Sequence, residues 1–381
     1  MIPYSRQLIT KKECTQINKI LLSNYLTQGP MVPKFEKKIS KYCGSKFTVA
    51  TNSGTSALHI ACLALNIGAN DIVWTSSISF VASANCASYC GAKVEFLDID
   101  IKTFNISIDF FENKLKIAKK INKLPKAIVL VHLGGLACDL RKINKLKKKY
   151  KFKIIEDASH AIGSTYYETK IGDCKYSDIA VFSFHPVKTI TSCEGGAATT
   201  NNKNIYNKLL IYREHGIERQ NQNKFKNKRP KYYNQIRLGY NYRMNDVEAA
   251  LGLMQLKKIN KWIKYKNFLA NRYRLAFKEL PVKYQMIPKN YYSSYHLYII
   301  LIKSRKYTRD QVLKKLIKKG IGCNIHYMPI YKHKYYKKGF NNKKLTASES
   351  YYRNCISIPM YAGLTITNQN KVIKLLKDIL N

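Results

Sequence analysis

Between residues 47 and 200 short β-rich runs alternate with helical stretches. The runs are FTVAT, DIVWT, KVEFLD, KAIVLVH, KFKIIED, DIAVFSF and GAATT, and SALHIACLAL, SFVASANCASYC and LRKINKLKKKY stand between them. Strands separated by a helix cannot pair through tight hairpins, so the chain must cross over, and crossovers of this kind build a parallel-type sheet covered by helices on both faces. The alternation therefore predicts an α/β fold. At 381 residues with 45% hydrophobic content there is enough chain for one large domain plus a smaller one.

Beyond residue 200 the pattern changes. HGIERQNQNKFKNKRPKYYNQIRLGY, residues 215–240, is polar and aperiodic and reads as a long functional loop. From Asn245 to about Leu280 the pattern is helical, with Val247, Ala250, Leu251, Met254 and Leu256 marking an apolar face. From Pro281 the chain carries a strand in SYHLYIILIK, a helix near Arg309 to Lys319, a strand into GCNIHY and a closing helix, which describes a smaller α+β unit. The expected division is residues 11–255 for the large domain and 256–381, together with 1–10, for the small one. There is no internal repeat.

Composition removes several function classes. No apolar run approaches membrane-spanning length and MIPYSRQLITKK lacks the apolar core of a signal peptide, so a cytoplasmic location and no membrane partner are expected. Ten cysteines are scattered without a CxxC pair, which argues against a metal site, and Cys86 with Cys90 reads as a reduced thiol pair on one helix face. The 67 basic and 23 acidic residues give a net charge of +44, but the lysines are spread along the whole chain rather than clustered. No nucleic-acid partner is thus expected, and the field favours an anionic substrate or cofactor phosphate.

Three segments carry chemistry when taken together. TNSGTSALHIACLAL follows a strand and opens a helix, so the Ser53–Ser56 stretch is either an ordinary helix cap or a phosphate seat at a positive helix end. KIIEDASHAIG ends a buried strand in Glu156 and Asp157, with His160 three residues on. A carboxylate there caps a helix or faces a ligand at the sheet's carboxyl edge. FSFHPVKTITSCEGG places Lys188 among proline, hydroxyl residues and glycines, 31 residues after Asp157. A phosphate seat, a strand-end aspartate and a later lysine are what pyridoxal 5′-phosphate requires: lysine forms the Schiff base, and the aspartate keeps the pyridine nitrogen protonated.

SGTSAL, EDASHAIG, FSFHPVKTITSCEGG, REHGI and LGYNYRMNDVEAALGLMQLKK, in this order over nearly the whole chain, resemble the DegT/StrS-type sugar-nucleotide aminotransferases. The resemblance implies the aspartate-aminotransferase fold (fold type I): a large domain with a mixed, mostly parallel sheet and a smaller α+β C-terminal domain. Within that family MIPYSRQLI, LTQGP, SFHPVK, LGYNYRMND and HYMPIY are most similar to members that aminate C4 of a UDP-4-keto-6-deoxy-L-hexosamine with L-glutamate, on the way to pseudaminic acid. The runner-up is another nucleotide-4-keto-sugar, of the bacillosamine or perosamine type.

By motif, the resemblance implies that Lys188 bonds the cofactor and shuttles the proton. Asp157 pairs with the pyridine nitrogen, His160 lies near the ring hydroxyl, and Thr55, Ser56 and Ser183 hold the phosphate. Phe80 in SISFVAS stacks on the ring or is a core phenylalanine. His185 contacts substrate or shapes the turn before Pro186, and Tyr4, His326 and Tyr327 are substrate-side candidates. Asn241 and Arg243 reach a neighbouring subunit's cofactor phosphate in a homodimer with shared sites, or belong to a surface helix start capped by Asn245 or Asp246. Leu136, Ser192 and Cys193 depart from the family pattern without removing a group the reaction needs. A related dehydratase would carry histidine at position 188, and Lys188 argues against it.

Overall fold

The structure, a computed structural model, describes residues 1–218, 233–337 and 345–381. Seven strands form the main sheet: β1 (Phe47–Thr51), β2 (Ile72–Ser76), β3 (Lys93–Leu97), β4 (Ala127–Val131), β5 (Lys153–Asp157), β6 (Ile179–Ser183) and β7 (Gly196–Thr200). Their spatial order is β1-β7-β6-β5-β4-β2-β3. The pairs from β6 to β3 are parallel, whereas β7 runs antiparallel to both β1 and β6. The sheet is therefore mixed rather than purely parallel at this one strand. The cause is local: the segment between Ser183 and Gly196 contains no helix to carry the chain back across the sheet, so it reverses at the carboxyl edge, and Lys188 lies within that reversal.

The strands alternate strictly between two cores. Ala50, Trp74, Ile128, Leu130, Ile154 and Phe182 face one cluster with α2 (Met31–Cys43), α5 (Ile108–Lys120), α6 (Leu140–Tyr150) and α8 (Asp246–Leu256). Their neighbours Val49, Val73, Ala127, Val129, Ile155 and Val181 face the other, with α3 (Gly54–Ala64), α4 (Ala82–Ser88) and α7 (Lys203–Arg213). The period of two along each strand and the helices on both faces explain why these runs are almost wholly apolar.

The helical pattern expected from 245 to 280 is two helices, α8 and α9 (Ile259–Ala276), broken at Lys257 and Lys258. Helix α9 gives Ile259, Trp262 and Ile263 to the first core and Leu269, Ala270 and Tyr273 to a third one. That third core lies on a three-stranded antiparallel sheet of β8 (Val282–Tyr284), β9 (Tyr298–Ile302) and β10 (Cys355–Ile358), with α10 (Arg309–Lys318) and the closing helix Ile366–Leu380. The strand expected into GCNIHY is replaced by isolated bridges, Ile2 with Ile321 and Asn324 with Ser357, and CISI supplies the third strand instead. The N-terminal arm joins the same unit: Gly322 N–H donates to Ile2 O and Met360 N–H to Tyr4 O. We propose that the domain division falls at residues 255/256, at the end of α8, with residues 1–10 on the smaller side.

Most of the long polar stretch expected at 215–240 lies outside the described residues; at its ends Ile217–Glu218 pairs with Asn234–Gln235. No helix among the described residues is long and apolar enough to cross a membrane. Cys86 is buried on α4, Cys90 is half-buried just beyond it, and both are free thiols. No group of metal-ligating side chains occurs among the described residues.

Candidate active site

Because β1, β2, β4, β5 and β6 all point the same way, their carboxyl ends share one edge of the sheet, and a cavity of about 720 Å³ opens there. Helix α3 starts at this edge. Ser53 caps it, its Oγ accepting the Ser56 N–H at 3.0 Å, and the Ser56 hydroxyl donates to Asn52 Oδ1 at 2.7 Å. Ser56 is thus held within the cap and does not line the cavity, while Ser53, Gly54, Thr55 and Ser183 do. Two glycines make this approach possible. A Cβ at Gly54 would stand 2.8 Å from Ser183 Cβ, and one at Gly196 would stand 2.4 Å from Ser53 O. The helix start and the end of β6 therefore form a close cradle of N–H and hydroxyl donors at a positive dipole end, which suits a phosphate.

Asp157 ends β5 at the same edge and is only 6% exposed. Its Oδ2 accepts the Ser83 hydroxyl at 2.6 Å, its Oδ1 accepts the Ser159 N–H at 3.2 Å, and Ser83 is bonded in turn to Ser79 at 2.6 Å. These bonds orient a carboxylate without neutralising it, since none of these partners carries charge. The chain that precedes α4 also brings Phe80 to the cavity wall with 57% of its surface exposed, so it is not a core phenylalanine.

Lys188 enters the cavity from the β6–β7 reversal. A turn in which its N–H donates to His185 O at 2.9 Å, together with Thr191 Oγ1 donating to Phe184 O, holds the segment. Burial pushes the Lys188 amine down to about 8, against the raising effect of the Asp157 charge. A lysine so placed carries a far larger neutral, nucleophilic fraction near neutral pH than a solvated lysine does.

Three histidines converge on the same space. His160 Nδ1 accepts the Gly134 N–H at 3.3 Å, and Nε2 faces the Tyr327 hydroxyl at 3.3 Å. Burial, then the Lys188 and His326 charges, hold His160 well below the ordinary imidazole range, so the ring is neutral with its proton on Nε2. His326, bonded to Ser357 at 2.8 Å, is pushed down to about 3 by burial and by Lys188. His296 packs with its ring centroid 4.3 Å from that of His160 and also lines the cavity. Tyr4 lies against His326, with ring centroids 5.3 Å apart, and burial raises its hydroxyl pKa; Tyr327 lies 6.3 Å from Phe80. His185 is half exposed at the rim, 3.9 Å from Glu194.

The structure thus brings Lys188, Asp157, Thr55, Ser183, Phe80, His160, Tyr4, His185, His326 and Tyr327 to one cavity. It does not bring Asn241 or Arg243 there. Asn241 bridges Glu214, Arg243 lies 3.9 Å from the same glutamate, and both sit on the segment beside Asn52, whose N–H donates to Tyr242 O. The motif reading included Gly54 in its phosphate seat but missed Ser83, His296 and the close approach at Gly196. Ser83 was visible in SISFVAS, four residues after Ser79, but its partner Asp157 is 74 residues away.

The cradle that a Cβ would fill, a strand-end carboxylate and a buried amine fit pyridoxal phosphate. Residues 7–377 match the DegT/DnrJ/EryC1/StrS aminotransferase family. The chain is 37% identical over 382 residues to the UDP-4-amino-4,6-dideoxy-N-acetyl-beta-L-altrosamine transaminase of Campylobacter jejuni, covering 100% of this chain and 96% of that protein. It is 33% identical to the spore coat polysaccharide biosynthesis protein SpsC of Bacillus subtilis, covering 99% and 97%. In structure it is similar to Helicobacter pylori PseC, an aminotransferase involved in the biosynthesis of pseudoaminic acid, with a TM-score of 0.89, 31% identity and coverage of 100% and 99%. The chain belongs to the DegT/DnrJ/EryC1/StrS aminotransferase family and is a pyridoxal phosphate-dependent sugar aminotransferase.

Proposed function

We propose that the protein transfers the amino group of L-glutamate to C4 of a UDP-4-keto-6-deoxy-N-acetyl-L-hexosamine, giving UDP-4-amino-4,6-dideoxy-N-acetyl-β-L-altrosamine. When bound, the cofactor supplies the electron sink that stabilises negative charge at the carbon being deprotonated. The chain's own residues do the rest. Thr55 Oγ1, the α3 N–H groups and Ser183 Oγ would hold the phosphate, with Ser56 fixing the turn. Asp157, oriented by Ser83, would pair with the pyridine nitrogen and keep it protonated, Phe80 would cover the ring, and His160 would serve the ring hydroxyl. Lys188 Nζ would bond the cofactor and, as a free amine, would hold and move the proton at the reacting carbon, a role its depressed proton affinity supports.

Tyr4, His185, His326 and Tyr327 are assigned to the sugar side of the cavity, where the neutral His326 imidazole and the tyrosine hydroxyls can bond a polar, uncharged ring. Asn241 and Arg243 are assigned to the neighbouring copy's cofactor phosphate in a homodimer: they lie near the α3 start yet outside their own chain's cavity. The observation that carries the reading is the convergence of Lys188, Asp157 and a glycine-walled helix start at one sheet edge. The similarity to the Campylobacter jejuni transaminase supports the sugar. The second reading is another nucleotide-4-keto-sugar, of the bacillosamine or perosamine type; the similarity to SpsC, a protein of spore coat polysaccharide biosynthesis, is compatible with it.

The test supplies the enzyme and L-glutamate with UDP-2-acetamido-2,6-dideoxy-β-L-arabino-hexos-4-ulose, its D-xylo epimer and a GDP-4-keto-6-deoxy sugar side by side. Preferential conversion of the L-arabino compound is expected. Equal or reversed preference assigns the protein to the second reading.

A further inference from the structure

Lys188 can serve one reacting carbon only if its backbone is held in place, because a misplacement of about 1 Å costs a catalytic group on the order of a hundredfold in rate. The turn's own bonds fix its ends. Phe184 O accepts the Ser192 N–H at 3.0 Å and the Thr191 hydroxyl at 2.9 Å, and His185 O accepts the Lys188 N–H at 2.9 Å. The residues on either side of Lys188 are held from outside the turn. Ser5 Oγ, on the N-terminal arm, donates to Val187 O at 2.9 Å, and Lys266 Nζ, on α9, donates to Thr189 Oγ1 at 3.1 Å. These donors stand 182 and 77 positions from their acceptors along the chain. Ser5, Val187, Lys188, Thr189 and Lys266 line one small chamber, and Lys188 lines the main cavity as well.

Neither donor is a loose surface group. The arm is tied down around Ser5, where the Ile2 and Tyr4 carbonyls accept the Gly322 and Met360 N–H groups, and Lys266 is 3% exposed. Burying an amine is costly, and the bond to Thr189 is what this one makes there. Both donors lie on the smaller side of the proposed domain division, whereas the Lys188 turn joins two strands of the main sheet. We propose that Ser5 and Lys266 are positioning residues for the transamination: by clamping the carbonyl before Lys188 and the hydroxyl after it, the smaller unit sets where Nζ stands when it moves the proton. The inference rests on Lys188 being the lysine that bonds the cofactor.

The experiment compares wild type with Ser5→Ala, Lys266→Met and the donor-keeping Ser5→Thr and Lys266→Arg, with thermal melting as the check on folding. Ser5→Ala removes a single oxygen from a half-buried site, so it reports even where Lys266→Met misfolds. The first readout is hydrogen–deuterium exchange of peptides spanning residues 185–192 in the cofactor-free protein, which should be about tenfold faster in Ser5→Ala and Lys266→Met and unchanged in peptides of β4. The second is the holoenzyme's half-reaction with L-glutamate deuterated at Cα, in which the rate should fall about tenfold and the isotope effect should rise, with KM for glutamate nearly unchanged. Ser5→Thr and Lys266→Arg should recover most of both. A merely structural role would move the melting temperature alone, so unchanged exchange and an unchanged isotope effect in folded Ser5→Ala and Lys266→Met proteins would overturn the proposal. Failure of the underlying reading looks different: a Lys188→Ala protein would retain the wild-type cofactor band.

Discussion

Gly196→Ala tests whether the phosphate cradle depends on backbone contact between β7 and the start of α3. The new Cβ would stand 2.4 Å from Ser53 O, 2.5 Å from Ser53 C and 2.6 Å from Gly54 N, whereas ordinary contact begins at 3.4 Å. All three atoms are backbone, so no side chain can swing away, and the helix start must retreat by roughly an ångström from Ser183, in line with the cost of overpacked sites at about 1–3 kcal/mol. A displacement of that size takes hydrogen bonds out of their 2.7–3.2 Å range. If only about 1.4 kcal/mol of it falls on binding, cofactor affinity drops tenfold. The assay is titration of cofactor-free protein with pyridoxal phosphate, followed by visible absorbance, beside thermal melting. Gly68→Ala is the control, since nothing lies within 4 Å of a Cβ there. Wild-type cofactor affinity in a folded Gly196→Ala protein would refute the cradle argument.

Lys188→Ala should abolish the visible band of bound cofactor, while Asp157→Asn should keep part of the binding and lose most turnover, as steady-state assays will show. Ser83→Ala removes the 2.6 Å donor from Asp157 Oδ2. A hydrogen bond to a charged group contributes about 1.5–3 kcal/mol, so a lower melting temperature and weaker cofactor binding are expected with Lys188 chemistry intact. Lys266 binds its proton less tightly folded, at about 7, than unfolded, near 10.5. The unfolded chain therefore holds more protons between those values, stability rises with pH across that window, and the penalty is complete below pH 7. Lys266→Met should accordingly melt higher than wild type at pH 6–7, by up to about 5 kcal/mol, with the gain vanishing near pH 10.5. For the shared site, mixing inactive Lys188→Ala with an inactive Asn241/Arg243 double-alanine protein under subunit exchange should restore activity through one intact site per mixed dimer. Exchange without recovery places both residues in their own subunit's structure.

The order of motifs along the chain was sufficient for the α/β class and the cofactor, and it singled out Lys188 and Asp157, which line one cavity, because these depend on local signals: strand periodicity, a capping sequence, a strand-end carboxylate, a lysine set among turn residues. What depends on contacts between distant segments was not legible. The antiparallel β7 follows from a reversal without a crossover helix, and CISI rather than GCNIHY forms the third strand of the small sheet because Ser357 and Asn324 meet only after folding. Ser56 reads like a phosphate ligand in SGTSAL, yet the helix start turns its hydroxyl to Asn52. Ser83 bonds a residue 74 positions away and Lys266 one 77 away, and among 67 basic residues no composition or spacing distinguishes a buried lysine from a solvated one. Burial is a property of the packed chain. It is burial that turns Lys188, Lys266 and the three histidines from ordinary side chains into groups with altered proton affinity, so the chemistry of the site was decided only when α9, the β6–β7 reversal and the N-terminal arm closed around one another.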